Sequence, residues 1–180
     1  AQATEVAEGL ITLLRPACKR MEVAGSIRRR KTQVGDIELL AISKVQPQFL
    51  GWNPLILPPG FLLLDLKVDE LIAKGIFDYR LDRRGRRSYG PLNKRLVHVP
   101  SGIGVDLFST SVENWGMSLV VRTGPAEFCI RVMSQFKALD MAGHAYAGVT
   151  DQLGKEISCP AEEDVFRLLE WRYQPPEERS

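Results

Sequence analysis

Apolar and polar residues follow one another along the first part of the chain in patterns that change from helical to extended. Residues 3–20 place apolar side chains three and four positions apart, which predicts an amphipathic helix packed on a sheet. Residues 20–24 predict a short strand, and residues 36–42, rich in Ile and Leu, predict a buried one. Gly25 and Ser26 between them predict a turn that opens a short helix. The predicted order is therefore helix, strand, turn and strand.

The middle of the chain predicts a continuation of the sheet. Residues 45–60 are rich in Pro, Gly and large apolar side chains, which predicts an apolar loop that covers the core. The elements predicted after this loop are a helix over 66–74, a hairpin of strands 76–80 and 86–89, and strands over 94–99 and 105–108. The hairpin gives the predicted sheet an antiparallel component.

The last third of the chain is mostly helical in pattern. Helices are predicted over 111–121, from Pro125 and from Pro160, and a glycine-rich stretch over 143–154 separates the last two. We therefore predict an α/β (α+β) fold with a mixed or antiparallel sheet and flanking helices, followed by a small, mostly helical subdomain. The predicted boundary lies near residue 112.

Composition narrows the class of protein. The chain has 180 residues, 44% hydrophobic and 26% charged, as in an ordinary globular protein. No window approaches the ~18 consecutive apolar residues of a membrane span, so no membrane partner is expected. Residues 1–10 lack the basic segment of a secretory signal, which favours an intracellular location, cytoplasmic or virus-encoded within a host cell. Cys18, Cys129 and Cys159 are far apart and are predicted to be inert thiols.

The net charge of +2 conceals an uneven distribution. Residues 28–31 are four consecutive basic residues, and a second basic cluster lies within residues 80–95, opposed there only by Asp82. Residues 151–180 hold eight acidic and four basic side chains. A polyanionic partner such as nucleic acid and an ordinary solvated surface both fit this asymmetry.

Acidic residues on predicted strands indicate metal chemistry. Asp36 and Glu38 are two positions apart, so their side chains leave the same face of the strand and are close enough to hold a hard divalent cation. Asp106 lies on another short apolar strand, and a neighbouring place in the sheet would bring three carboxylates around one point. Such a like-charged group on apolar strands is costly unless metal neutralises it.

The turn before these acids suits phosphate binding. Gly25 lets backbone N–H groups approach a phosphate, the Ser26 hydroxyl donates, and Arg29 adds a fork-shaped donor. Two divalent cations roughly 3.5–4 Å apart beside a triphosphate promote in-line attack by a hydroxyl and loss of pyrophosphate. This combination is typical of nucleotidyl transfer.

With these motifs at this spacing, the chain resembles the nucleotidyltransferase superfamily and, within it, the catalytic core of family X (DNA polymerase beta-like) DNA polymerases. The resemblance covers nearly the whole chain. Its elements are Gly25-Ser26-x-x-Arg29, Gly35-Asp36-x-Glu38, Val105-Asp106-Leu107, Trp115-Gly116, Thr123-Gly124 and the segment from Asp164 to Arg179.

The resemblance implies a palm (nucleotidyltransferase) domain over residues 1–112 and a C-terminal nucleotide-selecting, thumb-type subdomain over residues 113–180. It implies two divalent cations, Mg²⁺ with Mn²⁺ as the alternative, held by the catalytic residues Asp36, Glu38 and Asp106. The nucleotide-binding residues that it implies are Gly25, Ser26, Arg29, Gly35, Thr123 and Gly124. The DNA-binding residues, taken from the two basic clusters, are Arg28, Arg30, Arg83, Arg84, Arg86, Arg87, Lys94 and Arg95.

The chain departs from the family pattern at several positions. Glu38 stands where the family has aspartate, which is expected to favour Mn²⁺ over Mg²⁺. Val121 and Arg122 stand where the family has an aromatic pair, which is expected to weaken discrimination against ribose. At this length the protein is expected to lack the family's lyase and helix-hairpin-helix domains. We therefore expect a monomer of minimal form, helped on DNA by its basic patches or by a DNA-tethering protein partner.

The function predicted from the sequence is that of a DNA-directed DNA polymerase, which adds dNTPs to a primer 3′-OH on primer–template or gapped DNA. Short-gap filling in repair or replication is the expected setting. Two alternatives stay open: a template-independent nucleotidyltransferase that acts on nucleic-acid ends or another acceptor, and a non-catalytic DNA-binding subunit. The match from Trp115 to Arg179 favours the polymerase, because small-molecule transferases have different C-terminal regions.

Overall fold

The computed structural model describes residues 2–47 and 61–179, and within them it has the mixed α/β fold that the sequence predicts. The helices are α1 (Gln2–Leu14), α2 (Gly25–Arg28), α3 (Leu63–Ala73), α4 (Trp115–Thr123), α5 (Ala126–Ala138) and α6 (Glu162–Leu168). The strands are β1 (Cys18–Val23), β2 (Ile37–Ser43), β3 (Phe77–Tyr79), β4 (Asn93–His98), β5 (Ile103–Ser109), β6 (Ala142–His144), β7 (Gly148–Thr150) and β8 (Glu156–Ile157).

The described residues pack into two compact units. Of the described residues, unit 1 takes 2–23, 33–47 and 61–109, and unit 2 takes 24–32 and 110–179. The short segment 24–32 therefore packs with the C-terminal part of the chain. The domain boundary near residue 112 stays a prediction.

Unit 1 is built on a five-stranded sheet with the strand order β1-β2-β5-β4-β3. β2 and β5 are parallel neighbours, and the other neighbouring pairs are antiparallel. β2 and β5 lie inside the sheet, and most of their residues are buried, which explains the nearly continuous apolar run of β2. α1 and α3 contact the sheet and each other. The side chains that these two helices bury include Ala7, Leu10, Leu14, Leu64, Val68 and Leu71.

Unit 2 contains α2, α4, α5, α6 and an antiparallel sheet with the order β6-β7-β8. Its core is apolar and closely packed. The residues of this core, each at most 1% exposed, are Met117, Val120, Phe128, Val132, Phe136, Val149, Cys159, Val165, Phe166 and Leu169.

Several predicted elements differ from those in the structure. The first helix ends at Leu14 rather than near residue 20, because Pro16 has no N–H to continue the ladder and a 3-10 turn leads into β1. Residues 86–89 make isolated bridges instead of a strand, and β4 takes the place beside β3. The glycine-rich stretch 143–154 contributes to the second sheet. The predicted apolar loop lies, over residues 48–60, outside the described residues.

Among the residues that the structure describes, no helix is long and apolar enough to cross a bilayer.

Candidate functional site

A row of charged residues crosses the sheet of unit 1. Glu38 on β2 is paired with Asp106 on β5, and Asp106 is paired with Arg95 on β4. Directly paired residues project from the same face of a sheet. The backbone N–H of Arg80, the residue after β3, donates to the carbonyl of Arg95 at 3.1 Å and extends the row. The sheet thus brings together acidic and basic residues from β2, β5 and β4 and from the position after β3.

The guanidinium of Arg80 bridges two of the predicted catalytic acids. Its Nη1 lies 2.8 Å from Oδ2 of Asp36, and its Nη2 donates to Oδ1 of Asp106. Arg95 adds a longer contact, with 3.4 Å between its Nε and the same Asp106 oxygen. The Asp106 side chain is 15% exposed and that of Asp36 is 44% exposed, so Asp106 is the shielded member of the pair.

Gly104 makes room for this bridge. A Cβ built at position 104 would overlap Nη1 of Arg80 and the carboxylate of Asp36. A side chain at this position would therefore displace the ends of both charged side chains, which meet over the backbone of Gly104.

The donor chemistry of these acids fits a divalent cation. Carboxylate oxygens are the ligands that Mg²⁺ and Mn²⁺ prefer. Asp36 and Asp106 already converge on one positive charge, the Arg80 guanidinium. Within residues 2–47 and 61–179, no group of three or more His, Cys, Asp or Glu side chains is arranged to hold a metal ion as it stands. Metal binding by Asp36, Glu38 and Asp106 therefore stays a prediction.

The residues predicted to bind the nucleotide fall in both units. Gly35 is an exposed residue of unit 1, and the other five belong to unit 2. Gly25 opens α2 with φ of 61°, a conformation that favours glycine, and Ser26 follows it in the same helix.

Arg29 contacts two other members of this predicted set. Its Nη1 donates to the carbonyl of Thr123, and a Cβ on Gly124 would lie 3.3 Å from the same nitrogen. The Nε of Arg29 is buried and has no hydrogen-bond partner among the residues that the structure describes. The structure therefore brings Arg29, Thr123 and Gly124 together.

Arg28, predicted to contact DNA, lies in a partly buried network of unit 2. It donates to the Thr123 hydroxyl at 2.9 Å and to both carboxylate oxygens of Glu162. Arg179, which is fully buried, donates to Glu162 at 2.8 Å. Burial alone would raise the pKa of Glu162, but the hydrogen bonds from Arg28 and Arg179 outweigh it and hold that pKa below its ordinary value. In this structure the Arg28 side chain therefore binds Thr123 and Glu162 within unit 2.

Four arginines of the second basic cluster lie in an exposed turn after β3. The Asp82 carboxylate accepts the backbone N–H groups of Arg84 and Arg86, and the Arg86 side chain also pairs with it, 2.8 Å away. The guanidinium carbon of Arg87 lies 4.1 Å from the centre of the Tyr79 ring. Arg83, Arg84, Arg86 and Arg87 are all exposed, as an interface with phosphates requires. We call this segment, residues 82–87, the basic turn.

Two other predicted DNA contacts lie in different surroundings. Arg30 is exposed, and its Nη1 is 3.9 Å from a carboxylate oxygen of Glu177. Lys94 is 2% exposed, pairs with the buried Asp65 and donates to the carbonyl of Gly90 at 2.9 Å. A phosphate contact by Lys94 would require this buried pair to open, so the described structure places Lys94 in the core and not on the surface.

Three residues of these sites are not predicted by the sequence. Arg80 is one arginine among several in the second basic cluster, and no local pattern predicts a role for Glu162 or Arg179. Arg80 and Asp106 are 26 positions apart, and the pairing of strands β3, β4 and β5 alone brings them together. Glu162 is the first residue of the last helix, and nothing near it in the sequence indicates that it pairs with Arg28, 134 positions away.

No family model matches the chain. The chain is similar to DNA polymerase lambda from Rattus norvegicus, with 28% identity over 172 residues. The match covers 86% of this chain and 28% of that protein, so the chain spans less than a third of the length of this relative. This similarity agrees with the motifs of the sequence and supports a relation to polymerase-type nucleotidyltransferases.

Proposed function

We propose that this protein is a metal-dependent nucleotidyltransferase and, more closely, a DNA-directed DNA polymerase that adds dNTPs to a primer 3′-OH. The observation that carries the proposal is that the Asp36 and Asp106 carboxylates both contact the guanidinium of Arg80. Glu38 is paired with Asp106 in the register of the sheet. The similarity to DNA polymerase lambda supports DNA and dNTPs as the substrates. Short-gap filling in repair or replication is the setting that we propose.

Asp36, Glu38 and Asp106 are the proposed ligands of two divalent cations, Mg²⁺ or Mn²⁺. When bound, such cations lower the pKa of an attacking hydroxyl and stabilise a leaving pyrophosphate. The contribution of the chain is to hold the ligands in place. The apolar neighbours of Glu38 and Asp106 on the two strands are at most 1% exposed, which fixes the backbone that carries both acids.

The triphosphate is the proposed ligand of residues in the Gly25–Arg29 segment. Arg29 supports this assignment because its buried Nε lacks a partner among the described residues, and a phosphate oxygen is a strong acceptor for a guanidinium. Thr123 and Gly124, which adjoin Arg29, are the proposed contacts of the sugar and base. Gly35 has no heavy atom within 4 Å of a built Cβ and leaves its backbone accessible to a phosphate.

DNA is the proposed partner of the basic turn. Its exposed arginines, with Arg30 and Arg95, offer charge to the phosphate backbone, and such contacts confer affinity without sequence preference. Lys94 is left out of this proposed interface because it is buried and paired.

Primer extension tests the proposal. The substrates are labelled one-nucleotide-gapped, recessed and single-stranded DNA, supplied with each dNTP or rNTP in Mg²⁺ or Mn²⁺. We expect templated addition on gapped or recessed DNA, and a loss of at least about a hundredfold in Asp106→Asn, which removes one carboxylate charge with little change of shape. Glu5→Gln, the same change at an exposed residue of α1 in the same unit, is the matched control and should keep full activity.

The pattern of products separates the polymerase from its alternatives. Nucleotide addition without a template would show that the activity is terminal transfer and not templated polymerisation. Stable DNA binding with no addition on any substrate would replace it with a non-catalytic DNA-binding role. Activity that survives in Asp106→Asn would remove the carboxylates from the mechanism.

A further inference from the structure

Arg80 stands at the point where the proposed metal ligands meet, although nothing in the sequence assigned it there. Its two terminal nitrogens contact different carboxylates, one on Asp36 and one on Asp106. A guanidinium in this position acts on the two carboxylates as a bound metal ion would, because it supplies positive charge and fixes the positions of their oxygens.

Three features of the surroundings favour the guanidinium at this position. Arg80 is held on the sheet by its backbone N–H, which donates to the carbonyl of Arg95. Gly104 provides the space, since a methyl group there would overlap both Arg80 and Asp36. The Arg80 side chain is 21% exposed and that of Asp106 is 15% exposed, so water screens their attraction only in part.

The same position leaves Arg80 incompletely bonded. Its Nε is buried and has no hydrogen-bond partner among the residues that the structure describes. An unsatisfied buried donor destabilises the arrangement, which favours exchange of Arg80 for a competing cation. Asp36, 44% exposed, offers that cation a way in from solvent.

We propose that Arg80 is a built-in counter-ion of the carboxylate site, which competes with divalent cations for the oxygens of Asp36 and Asp106 and thereby sets the affinity of the site for metal. This inference rests on the proposed function, because it takes these acids as metal ligands. Arg80 is a positioning residue in the metal-free protein, and metal binding displaces it.

Direct titration with Mn²⁺, followed by electron paramagnetic resonance of the free ion, tests the inference on the whole chain without substrates. We expect Arg80→Gln to bind Mn²⁺ at least about tenfold more tightly than the wild type, in line with the coupling measured for close charge pairs. Arg80→Lys should lie between the two, because a lysine ammonium cannot bridge both carboxylates as a fork. It also keeps a cation beside the acids and serves as the second variant if Arg80→Gln does not fold.

Arg15→Gln is the matched control, because it removes the same charge from an exposed residue of unit 1 that has no place in the carboxylate site or the basic turn. Its Mn²⁺ affinity should equal that of the wild type. A second readout is the midpoint of thermal unfolding, which Mn²⁺ should raise more in Arg80→Gln than in the wild type, since ligand binding to the folded state stabilises it.

The outcomes separate this inference from the proposed function. Equal or weaker Mn²⁺ binding by both Arg80 variants, in a wild type that binds Mn²⁺, overturns the counter-ion role alone. An absence of Mn²⁺ binding in all variants overturns both proposals. Tighter binding by Arg80→Gln, in a protein that transfers no nucleotide on any acceptor, supports the counter-ion role and removes the proposed function.

Discussion

Arg28 and Glu162, 134 residues apart in the chain, form a two-bonded ion pair inside unit 2. Nη1 of Arg28 donates to Oε1 of Glu162 at 2.9 Å, and Nη2 donates to Oε2 at 2.8 Å. The Glu162 side chain is 4% exposed and that of Arg28 is 19% exposed, so the pair is largely withdrawn from water. It joins the short helix α2 to the start of α6, and a single carboxylate serves two arginines there.

Glu162→Gln should destabilise the protein strongly. The change leaves Arg28 and the fully buried Arg179 without their counter-charge, and breaking a buried pair of this kind lowers the free energy of unfolding by about 3–5 kcal/mol. Urea unfolding followed by circular dichroism measures the difference. Glu163→Gln, at the exposed neighbouring position, should stay within about 0.5 kcal/mol of the wild type. A loss for Glu162→Gln no larger than that of this control would show that the pair is not a stabilising contact.

The same pair should give stability a defined pH dependence. The folded pKa of Glu162 lies below its ordinary value of 4.5, which applies in the unfolded chain, so its stabilising effect is fully present above pH 4.5 and is lost as the pH falls through the folded pKa. The difference in the free energy of unfolding between wild type and Glu162→Gln should therefore be constant from pH 6 to about 5 and should shrink below about pH 4. A difference that grows on acidification would contradict the depressed pKa.

Gly116→Ala should destabilise unit 2 through its backbone contacts. A Cβ at this position of α4 would overlap the backbone carbonyl of Ala161 and lie 2.7 Å from the carbonyl oxygen of Cys159, to which the N–H of Gly116 donates. Backbone atoms cannot move aside as a side chain can, so we expect a loss of about 1–3 kcal/mol in the free energy of unfolding.

Gly9→Ala is the control for this change. Gly9 lies in α1, and a Cβ built there has no heavy atom within 4 Å, so the substitution should stabilise the protein by about 0.5–1 kcal/mol through helix propensity. Thermal unfolding of both variants measures the two changes in stability. Equal effects at the two glycines would mean that α4 tolerates a side chain at residue 116.

Arg84→Gln should weaken DNA binding in proportion to the loss of one phosphate contact. If the basic turn meets DNA, the slope of log affinity against log salt concentration should fall in magnitude by about 0.9. Fluorescence anisotropy of labelled duplex DNA at several salt concentrations measures this slope. Lys19→Gln removes an exposed positive charge from β1 and should leave the slope unchanged. An unchanged slope in Arg84→Gln would take the turn out of the interface.

Two of the cysteines should be unreactive in the folded protein. Burial raises the pKa of both the Cys18 and the Cys159 thiols to about 11, and the thiolate is the reactive form. A thiol-specific disulfide reagent at pH 8 should therefore modify at most Cys129, which is only partly buried. Denaturant should expose all three thiols. Rapid modification of Cys18 or Cys159 without denaturant would contradict their burial.

Much of the candidate site follows from local spacing. Glu38 lies on β2 and Asp36 directly precedes that strand, and the alternation that predicts their common side is a property of the backbone alone. Asp106 could be placed on a second strand for the same reason, and the parallel register of β2 with β5 then puts it directly beside Glu38. The pairing itself was a hypothesis in the sequence, because no short-range pattern specifies which strands become neighbours.

By itself, the sequence determined the α/β class, the principal strands and the acids on them, because apolar periodicity and turn residues act over a few positions. Only the tertiary structure decided which charges meet. Arg80 could have been one more arginine of the basic cluster, yet sheet pairing sets it between Asp36 and Asp106. Lys94, equally basic in the sequence, is buried against Asp65. The interactions of a long charged side chain depend on partners brought close by the fold, and sequence distance does not specify them.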